Sequence, residues 1–495
     1  MKQALVKSLD ASLNKSIKTA LAWSFFEKFF NQGFSLLVKL YLARLLLPEA
    51  YGLIGMAAVF IAFLSIMGEQ GLSSALIQRD KSRLDARHWN TAFTVSLTVS
   101  IVTWVLILLL FGSLVSRFFD EPQLKNILIV LGLMLVGNSL SVIQRARLAK
   151  DLKFKVLSFA SIVAVVISSI VALVMAYLGF GVWSLVAKAL LNSFVLVFVI
   201  LIVTRWLPRV SFSKSAFLDL FGFSGYTTIE RFLFFLTFNI DIILIGRLLG
   251  KSLLGACSLA LTLTEIFRQH ISGAVKTVFF PAYSKLQNDK EMALSYLLKE
   301  IRYSAVIIIP AVFILSLDAQ PIIVGFFGDS WQEAANPLKI LALATAIRTS
   351  GGSTTALIRG FGYAKLSLII AAVSMLLVGV PGISIGVLLI GIEGAAWGIV
   401  LHRTIERLLN LYWICRIFRV GLAPFIEALS PCALICLAIA GIHAPLLYFM
   451  SDSLQSLLVR LVAEALICGA LSFALLPAFR DVIVKSLMLK RRMTK

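Results

Sequence analysis

The chain has 495 residues, of which 59% are hydrophobic and only 14% are charged. No soluble domain of this length has such a composition, so the sequence predicts a polytopic, all-α membrane protein. The formal net charge of +21 does not indicate a nucleic-acid partner, because the basic residues are spread over short loops and do not gather on one domain.

Apolar runs of about 20 residues, the length that crosses a bilayer, give the predicted spans. The first run is expected to be a retained span and not a cleaved signal peptide, because no small-residue cleavage pattern follows it. Fourteen helices are predicted, near residues 20–46, 50–68, 91–114, 124–143, 156–178, 182–204, 217–248, 253–272, 304–325, 335–357, 366–388, 392–413, 425–448 and 454–477.

Loop charges predict the orientation of these helices, since cytoplasmic loops are enriched in Lys and Arg. One set of alternate loops is basic, whereas the opposite loops are neutral or carry acids such as Asp120, Asp318 and Asp452. Both termini are therefore expected in the cytoplasm. The basic loop residues are Arg79, Lys81, Arg83, Arg87, Arg145, Arg147, Lys150, Lys153, Lys155, Arg205, Arg209, Lys214, Lys276, Lys285, Lys290 and Lys299.

An internal repeat organises the chain. The stretch from Trp23 to Gly52 recurs from Tyr226 to Gly255, displaced by about 203 positions, so that Gly52 falls on Gly255. Phe118-Phe119-Asp120 is echoed by Phe326-Phe327-Gly328-Asp329. Each copy holds six spans and is expected to form a parallel repeat. The predicted domains are an N-terminal lobe at 1–210, a C-terminal lobe at 211–418, and helices 13 and 14 with a basic tail at 419–495.

The eleventh predicted span is the candidate hinge. It contains Gly379, Pro381 and Gly382 within an apolar run. Proline removes a backbone hydrogen bond and glycine loosens a helix, so a bend is expected here. An ordinary kink without a function accounts for the same residues, because membrane helices tolerate proline.

A polar stripe marks the first helix. Its members recur at a spacing of three or four residues: Ser24, Lys28, Gln32, Ser35 and Lys39. Such a stripe in an apolar helix is expected to face water or a polar ligand. The two lysines lie on one face, separated by roughly 16 Å.

Five basic residues are the candidate substrate-binding groups. They are expected to hold an anionic head group such as a diphosphate in a desolvated cavity. The alternative is that each base pairs with an acid across the lobe interface or extends to the membrane surface, and Arg268 has Glu265 one turn earlier. The five are Lys28, Lys39, Arg231, Arg268 and Arg348.

Asp241 is the candidate ion-coupling residue, followed by Glu27 and Glu230. Asp241 has no opposite charge within one turn of its own helix. A buried carboxylate of this kind exchanges a proton or binds Na⁺ with a neighbour such as Asn239. A salt bridge between the lobes accounts for it equally well.

Signatures of enzymes and metal sites are not found. No phosphate-binding GxxxxGKS or GxxxxGKT loop occurs, which argues against a fused ATPase. The histidines lie on different predicted elements, and Cys432 and Cys436 are best explained by packing. No metal and no cofactor is expected. The histidines are His88, His270, His402 and His443.

Four runs resemble the Wzx-type oligosaccharide flippases of bacterial surface-polysaccharide pathways, in particular the colanic-acid and lipopolysaccharide exporter branch. They are LPEAYGLIGM at 47–56, GLSSALIQ at 71–78, FPAYSKLQ at 280–287 and GDSW at 328–331. The resemblance implies a MATE-like fold of the MOP superfamily in the bacterial inner membrane. It further implies that an undecaprenyl-diphosphate-linked oligosaccharide is moved to the outer leaflet by alternating access, driven by a proton or cation gradient.

Related proteins with a sodium site use carboxylates on the seventh and eleventh helices, and the eleventh has none here, so the coupling ion stays open. The resemblance also leaves open a partnership with polysaccharide polymerase or export machinery. Two other functions remain. A multidrug or cation antiporter of the same fold would be expected to offer acids to its substrate. A membrane polymerase or ligase would need a larger external loop.

Overall fold

The structure is a computed structural model that describes residues 2–69, 72–80, 84–286, 289–449 and 453–475. Within these ranges some side chains are not described, mainly before Trp23 and between residues 221 and 285. All regular secondary structure in the described ranges is helical, which confirms the predicted all-α class.

The chain forms two compact units, Met1–Gly255 and Ala256–Lys495. The helices that begin in the first unit are α1 (Lys2–Leu45), α2 (Pro48–Glu69), α3 (Leu72–Gln78), α4 (Ala86–Leu106), α5 (Gly112–Phe119), α6 (Gln123–Lys150), α7 (Phe154–Tyr177), α8 (Val182–Thr204) and α9 (Lys214–Lys285). A π-helical turn, Ile107–Phe111, joins α4 to α5.

The helices that begin in the second unit are α10 (Lys290–Leu317), α11 (Ala319–Phe327), α12 (Ala335–Thr349), α13 (Thr354–Gly360), α14 (Ala364–Ser374), α15 (Val380–Phe418), α16 (Ala423–Phe449) and α17 (Leu454–Leu475). A 3₁₀ turn, Asp329–Ala334, joins α11 to α12, and a π-helical turn, Met375–Gly379, joins α14 to α15.

Among the described residues, ten helical stretches are long and apolar enough to cross a membrane. The predicted second to sixth spans and the last four each fall on one of these stretches. The predicted bounds of the ninth span, 304–325, are wrong, because α10 begins at Lys290 and ends before Asp318. The first turns of α10 are amphipathic and combine polar residues with buried apolar ones such as Leu294 and Leu297. Their mean hydropathy is therefore low, so the hydropathy pattern places the start of this span too late in the sequence.

Two long helices each contain a break where two predicted spans meet. In α9 the backbone at Gly250 leaves the helical region, with φ 77° and ψ −176°. In α15 the break lies at Ile390 and Gly391, where Gly391 has φ 63°. These breaks fall between the seventh and eighth spans and between the eleventh and twelfth, as the hydropathy pattern predicts. Glycine adopts positive φ without the steric cost of a Cβ.

The two copies of the sequence repeat meet through equivalent residues. A Cβ added to Gly52 would lie 1.8 Å from the carbonyl oxygen of Lys251, and one added to Gly255 would lie 1.9 Å from that of Pro48. With the offset of about 203 positions, Pro48 is equivalent to Lys251 and Gly52 to Gly255. The same two positions of the repeat therefore form two contacts. The first copy supplies the glycine in one contact and the second copy supplies it in the other, as two-fold symmetry requires.

The Phe-Phe motif of the repeat marks the same structural event in both copies. Phe119 ends α5 and Phe327 ends α11, and both side chains are buried. The next residue has positive φ in each case, 58° at Asp120 and 93° at Gly328. The motif therefore ends a helix and turns the chain into the following one, α6 or α12.

The core of the second unit forms where α10 packs on α12 and α16. Trp331 lies in the 3₁₀ turn with its side chain fully buried, and its ring contacts Phe327 with centroids 6.4 Å apart. A large aromatic buried in a short turn fixes the turn to the helices around it.

Candidate functional site

The polar stripe of α1 is partly exposed. Lys28 and Gln32 are exposed, and Lys39 is half-buried. Lys28 forms no ion pair with any side chain that the structure describes. The end of the stripe is held to α2, because the hydroxyl of Tyr51 donates a hydrogen bond of 2.8 Å to the carbonyl oxygen of Lys39.

The neighbouring face of α1 packs on α7 and fixes the rotation of the stripe. Ser158 donates to the carbonyl oxygen of Trp23 and to Glu27, both at 3.2 Å, and Asn31 donates to Ser161 at 2.8 Å. Successive helix positions are about 100° apart, so Lys28 is turned away from this packed face. Glu27, a predicted coupling residue, is thus a hydrogen-bond acceptor against α7.

Lys188 on α8 is a basic residue that the sequence analysis missed. It lies close enough to Lys39 for the two ammonium charges to repel each other. The available signal was that Lys188 is the only charged residue in the apolar run from Val182 to Thr204. An ionisable group in such a helix costs free energy and marks a functional position by default. Two of them together favour an anionic ligand.

The predicted residues of α9 are described only in part. The side chains of Glu230 and Arg231 lie outside the described part of the chain. Asp241 is buried and accepts a hydrogen bond of 2.9 Å from the backbone N–H of Ile242. Asn239 donates its amide to the carbonyl oxygen of Phe235, so this donor turns back to its own helix.

In the second unit, Arg268 and Arg348 share one carboxylate. Arg348 donates to Glu265 Oε1 at 3.1 Å, and Arg268 makes a close ion pair with Glu265 Oε2. The structure therefore brings these two predicted residues together, but around an acid of the same unit. Lys28 and Lys39 belong to the first unit.

Further charges surround this shared carboxylate. Arg403 of α15 pairs with Glu406 at 3.3 Å and lies within electrostatic range of Glu265. Three arginines then face two glutamates, which leaves one positive charge. From the sequence, Arg403 and Glu406 are interpreted as an ordinary charged helix end, which is common.

The candidate hinge contains a π-helical turn and a close glycine contact. The turn Met375–Gly379 ends two residues before Pro381. Gly382 packs on Gly398, and a Cβ added to Gly382 would lie 3.6 Å from the Cα of Gly398. A Cβ added to Gly394 would lie 1.8 Å from the carbonyl oxygen of Gly386, also in α15. Small residues allow such backbone contact between membrane helices, so Gly382 has a packing role in addition to any motion.

Basic loop residues of the first unit line a cavity of about 720 Å³. Its walls include Arg147, Lys150, Arg205 and Arg209, and the guanidinium of Arg147 stacks on Trp206 at 4.3 Å. Lys150 already donates to the carbonyl oxygens of Leu76 and Arg79. The predicted basic loops are therefore partly ordered by internal contacts.

One histidine does join a cluster of charged residues, contrary to the sequence analysis. His443 Nδ1 lies 2.7 Å from Glu464 Oε1 and 3.9 Å from Asp318 Oδ2. Asp318, which was expected in an exposed acidic loop, is buried and paired with Arg460. Spacing along the sequence could not reveal this cluster, because it joins the end of α10 to α16 and α17.

These features define a class of protein: a multi-pass, all-helical membrane protein built on two copies of one sequence repeat, with basic residues on its membrane helices. Residues 41–336 match the family model described as polysaccharide biosynthesis protein. The chain belongs to this family.

Curated relatives agree with this assignment. The succinoglycan biosynthesis transport protein ExoT of Rhizobium meliloti is 27% identical over 348 residues, which cover 70% of each chain. The lipopolysaccharide biosynthesis protein WzxC of Escherichia coli is 23% identical over 408 residues, which cover 81% of each chain. The predicted relation to polysaccharide exporters is confirmed.

Solved structures confirm the fold. The structure of lipid II flippase MurJ in an inward closed conformation has a TM-score of 0.70 at 15% identity, and covers 94% of this chain and 100% of its own. An inward-facing multidrug resistance MATE family transporter of the MOP superfamily has a TM-score of 0.60 at 19% identity, with 79% and 94% coverage. The predicted MATE-like fold is thus correct.

Proposed function

We propose that this protein is a flippase that moves an undecaprenyl-diphosphate-linked oligosaccharide from the cytoplasmic to the periplasmic leaflet of the bacterial inner membrane. Transport by alternating access, and not catalysis, is its activity. The product serves the assembly of a surface polysaccharide such as an exopolysaccharide, O-antigen or capsule.

The observation that carries this proposal is the basic surface formed by Lys28, Lys39 and Lys188 on α1 and α8. Lys39 and Lys188 repel each other in an apolar helix environment, and Lys28 is exposed on the same stripe as Lys39. A diphosphate offers the negative charge and the acceptor oxygens that such ammonium groups bind. The named relatives support this substrate class, because they act in succinoglycan and lipopolysaccharide biosynthesis.

The membrane topology is part of the proposal. Fourteen spans with both termini in the cytoplasm follow from the loop charges. The first six-helix lobe then covers 1–210, the second 211–418, and the last two helices with the basic tail 419–495. The expected partner is a polymerase or export machinery that uses the transported oligosaccharide.

Coupling to a proton or Na⁺ gradient is proposed through Asp241, with Glu27 and Glu230 as further candidates. Burial of Asp241 supports this role, since a buried carboxylate binds a cation or a proton. The π-helical turn before Pro381 supports a hinge in this helix, because π-turns are frequently found at functional sites.

The first test is the leaflet distribution of lipid-linked oligosaccharide in cells depleted of the protein. Accumulation on the cytoplasmic face, with loss of surface polymer, is the expected result. An unchanged distribution in a strain without other flippases of this family would contradict the proposal. A drug-resistance phenotype on overexpression would favour the antiporter function, and glycosyl transfer by the purified protein would favour a polymerase or ligase.

The basic surface is tested with Lys188→Met and Lys28→Ala. One lost charge-assisted hydrogen bond is worth about 1.5–3 kcal/mol, so flipping is expected to fall about tenfold or more. Removing one of two repelling charges should also raise the thermal stability of Lys188→Met, which a structural role would not do. Lys365→Ala, at an exposed position of α14, is the matched control.

A further inference from the structure

A buried charged cluster joins the last two helices to the end of α10. Asp318 lies between α10 and α11, His443 on α16, and Arg460 and Glu464 on α17. Asp318 and Glu464 are 1% and 0% exposed, Arg460 is 2% exposed, and His443 is also buried. Three of its four residues lie on the last two helices, beyond the six-helix repeats, and the basic surface of the proposed function includes none of the four.

Two contacts divide the cluster into pairs. Arg460 makes a close ion pair with Asp318 Oδ1. His443 Nδ1 and Glu464 Oε1 are 2.7 Å apart, which is hydrogen-bond distance. Asp318 Oδ2 and Glu464 Oε2 are buried without a hydrogen-bond partner in the described part of the chain. Each carboxylate of the cluster therefore keeps one buried oxygen without a hydrogen bond.

The charges of the cluster do not balance without a bound cation. Two carboxylates face one guanidinium, so one negative charge is left over if the imidazole is neutral. An uncompensated buried charge costs several kcal/mol. One added positive charge removes this cost.

We propose that His443 and Glu464 bind one proton between them at neutral pH, which makes this cluster a buried proton site. The 2.7 Å separation of Nδ1 and Oε1 is hydrogen-bond distance, so a proton between these two atoms fits the cluster as it stands. Binding of a divalent cation would change the net charge of the cluster from one negative charge to one positive charge, next to Arg460. A proton supplies the single charge without displacing any side chain.

Loss of this proton weakens the attachment of α16 and α17. The deprotonated Glu464 faces Asp318 from the corner of α10 and α11, neutral His443 from α16, and Arg460 from its own helix. Helix α11 has no charged residue between Ala319 and Phe327. Repulsion between Glu464 and Asp318 is then offset by Arg460 alone, so the site links proton binding to the contact of these helices with α10.

Difference titration of the purified full-length protein in detergent tests the site. Wild-type protein is expected to release one more proton than Glu464→Gln between about pH 6 and 9, the range in which exposed carboxyls no longer titrate. Asp318→Asn removes the same excess charge and is expected to lose the same proton. Glu427→Gln, at an exposed position of α16, should leave the count unchanged.

Equal proton counts in wild type and both variants would overturn the proposal. Both variants mimic the protonated cluster, so failure of both to fold would also contradict it. Replacing choline chloride with sodium chloride distinguishes the ion. Proton release from wild type but not from Glu464→Gln on adding sodium would assign the site to Na⁺ and refute the proton assignment.

Discussion

The reciprocal glycine contact predicts a defined cost for a single methyl group. In Gly52→Ala the new Cβ lies 1.8 Å from the carbonyl oxygen of Lys251, whereas real Cβ contacts are almost never below 3.0 Å. The backbones must therefore separate by at least about 1.2 Å. A gap of this size forfeits about half or more of the dispersion energy of each neighbouring contact.

The expected loss of stability follows from two opposing effects. Overpacking against a backbone atom costs about 3 kcal/mol, the upper part of its usual range. The higher helix propensity of alanine returns about 1 kcal/mol. The net loss for Gly52→Ala is about 2 kcal/mol. Gly255→Ala should lose a similar amount, because its Cβ meets Pro48 in the same way.

Thermal unfolding of the purified protein, followed with a thiol-reactive fluorophore on the buried free cysteines, measures the effect. The control is Gly441→Ala in α16, where an added Cβ meets nothing within 4 Å, and it should be neutral or stabilising. Since one separation relieves both clashes, the double variant should cost clearly less than the sum. Full additivity, or a Gly52→Ala variant as stable as the control, would refute the reciprocal contact.

Two further predictions concern stability. Trp331→Ala should lower the free energy of unfolding by about 3–5 kcal/mol because it empties a fully buried site. Trp397→Ala, at a half-exposed position, should lower it much less in the same unfolding assay. Equal losses in the two variants would contradict this prediction. Desolvation would raise the pKa of Asp85, but hydrogen bonds from His88 and Arg87 outweigh it and hold the pKa below its usual value. The stability that this N-cap contributes is fully present when the pH is above the pKa of Asp85 in the unfolded chain. It is lost as the pH falls through the lower pKa of Asp85 in the folded protein. Asp85→Ala should therefore cost about 1 kcal/mol at neutral pH, and its difference from wild type should shrink as the pH falls below the unfolded pKa of Asp85. Asp85→Asn should keep the cap without that pH dependence.

The sequence was sufficient for the features that depend on periodicity. Apolar runs locate most spans, and a fixed offset aligns Gly52 with Gly255, the two glycines of the reciprocal contact. Positions of broken helices also followed, because Gly250 and Gly391 interrupt apolar runs that are too long for one span.

The features that depend on contacts between distant helices could not be predicted. Lys188 stands out as the only charged residue of its apolar run, but the sequence could not show that it lies near Lys39 on another helix. The loop charges predict an exposed position for Asp318, because its distance from Arg460 along the chain hides their pairing. Glu265 was noted beside Arg268, but its sharing with Arg348 required the packing of α9 and α12.

The exchanged glycine contacts have the pattern of a two-fold symmetric dimer within a single chain. In a dimer of identical chains with two-fold symmetry, each contact occurs twice with the partners interchanged. Pro48 with Gly255 and Gly52 with Lys251 repeat that arrangement inside one polypeptide. A chain of half this length would meet a second copy of itself through the same two positions. Fusion of two such genes keeps the contact and frees the halves to diverge, as Asp120 and Gly328 illustrate at equivalent turns.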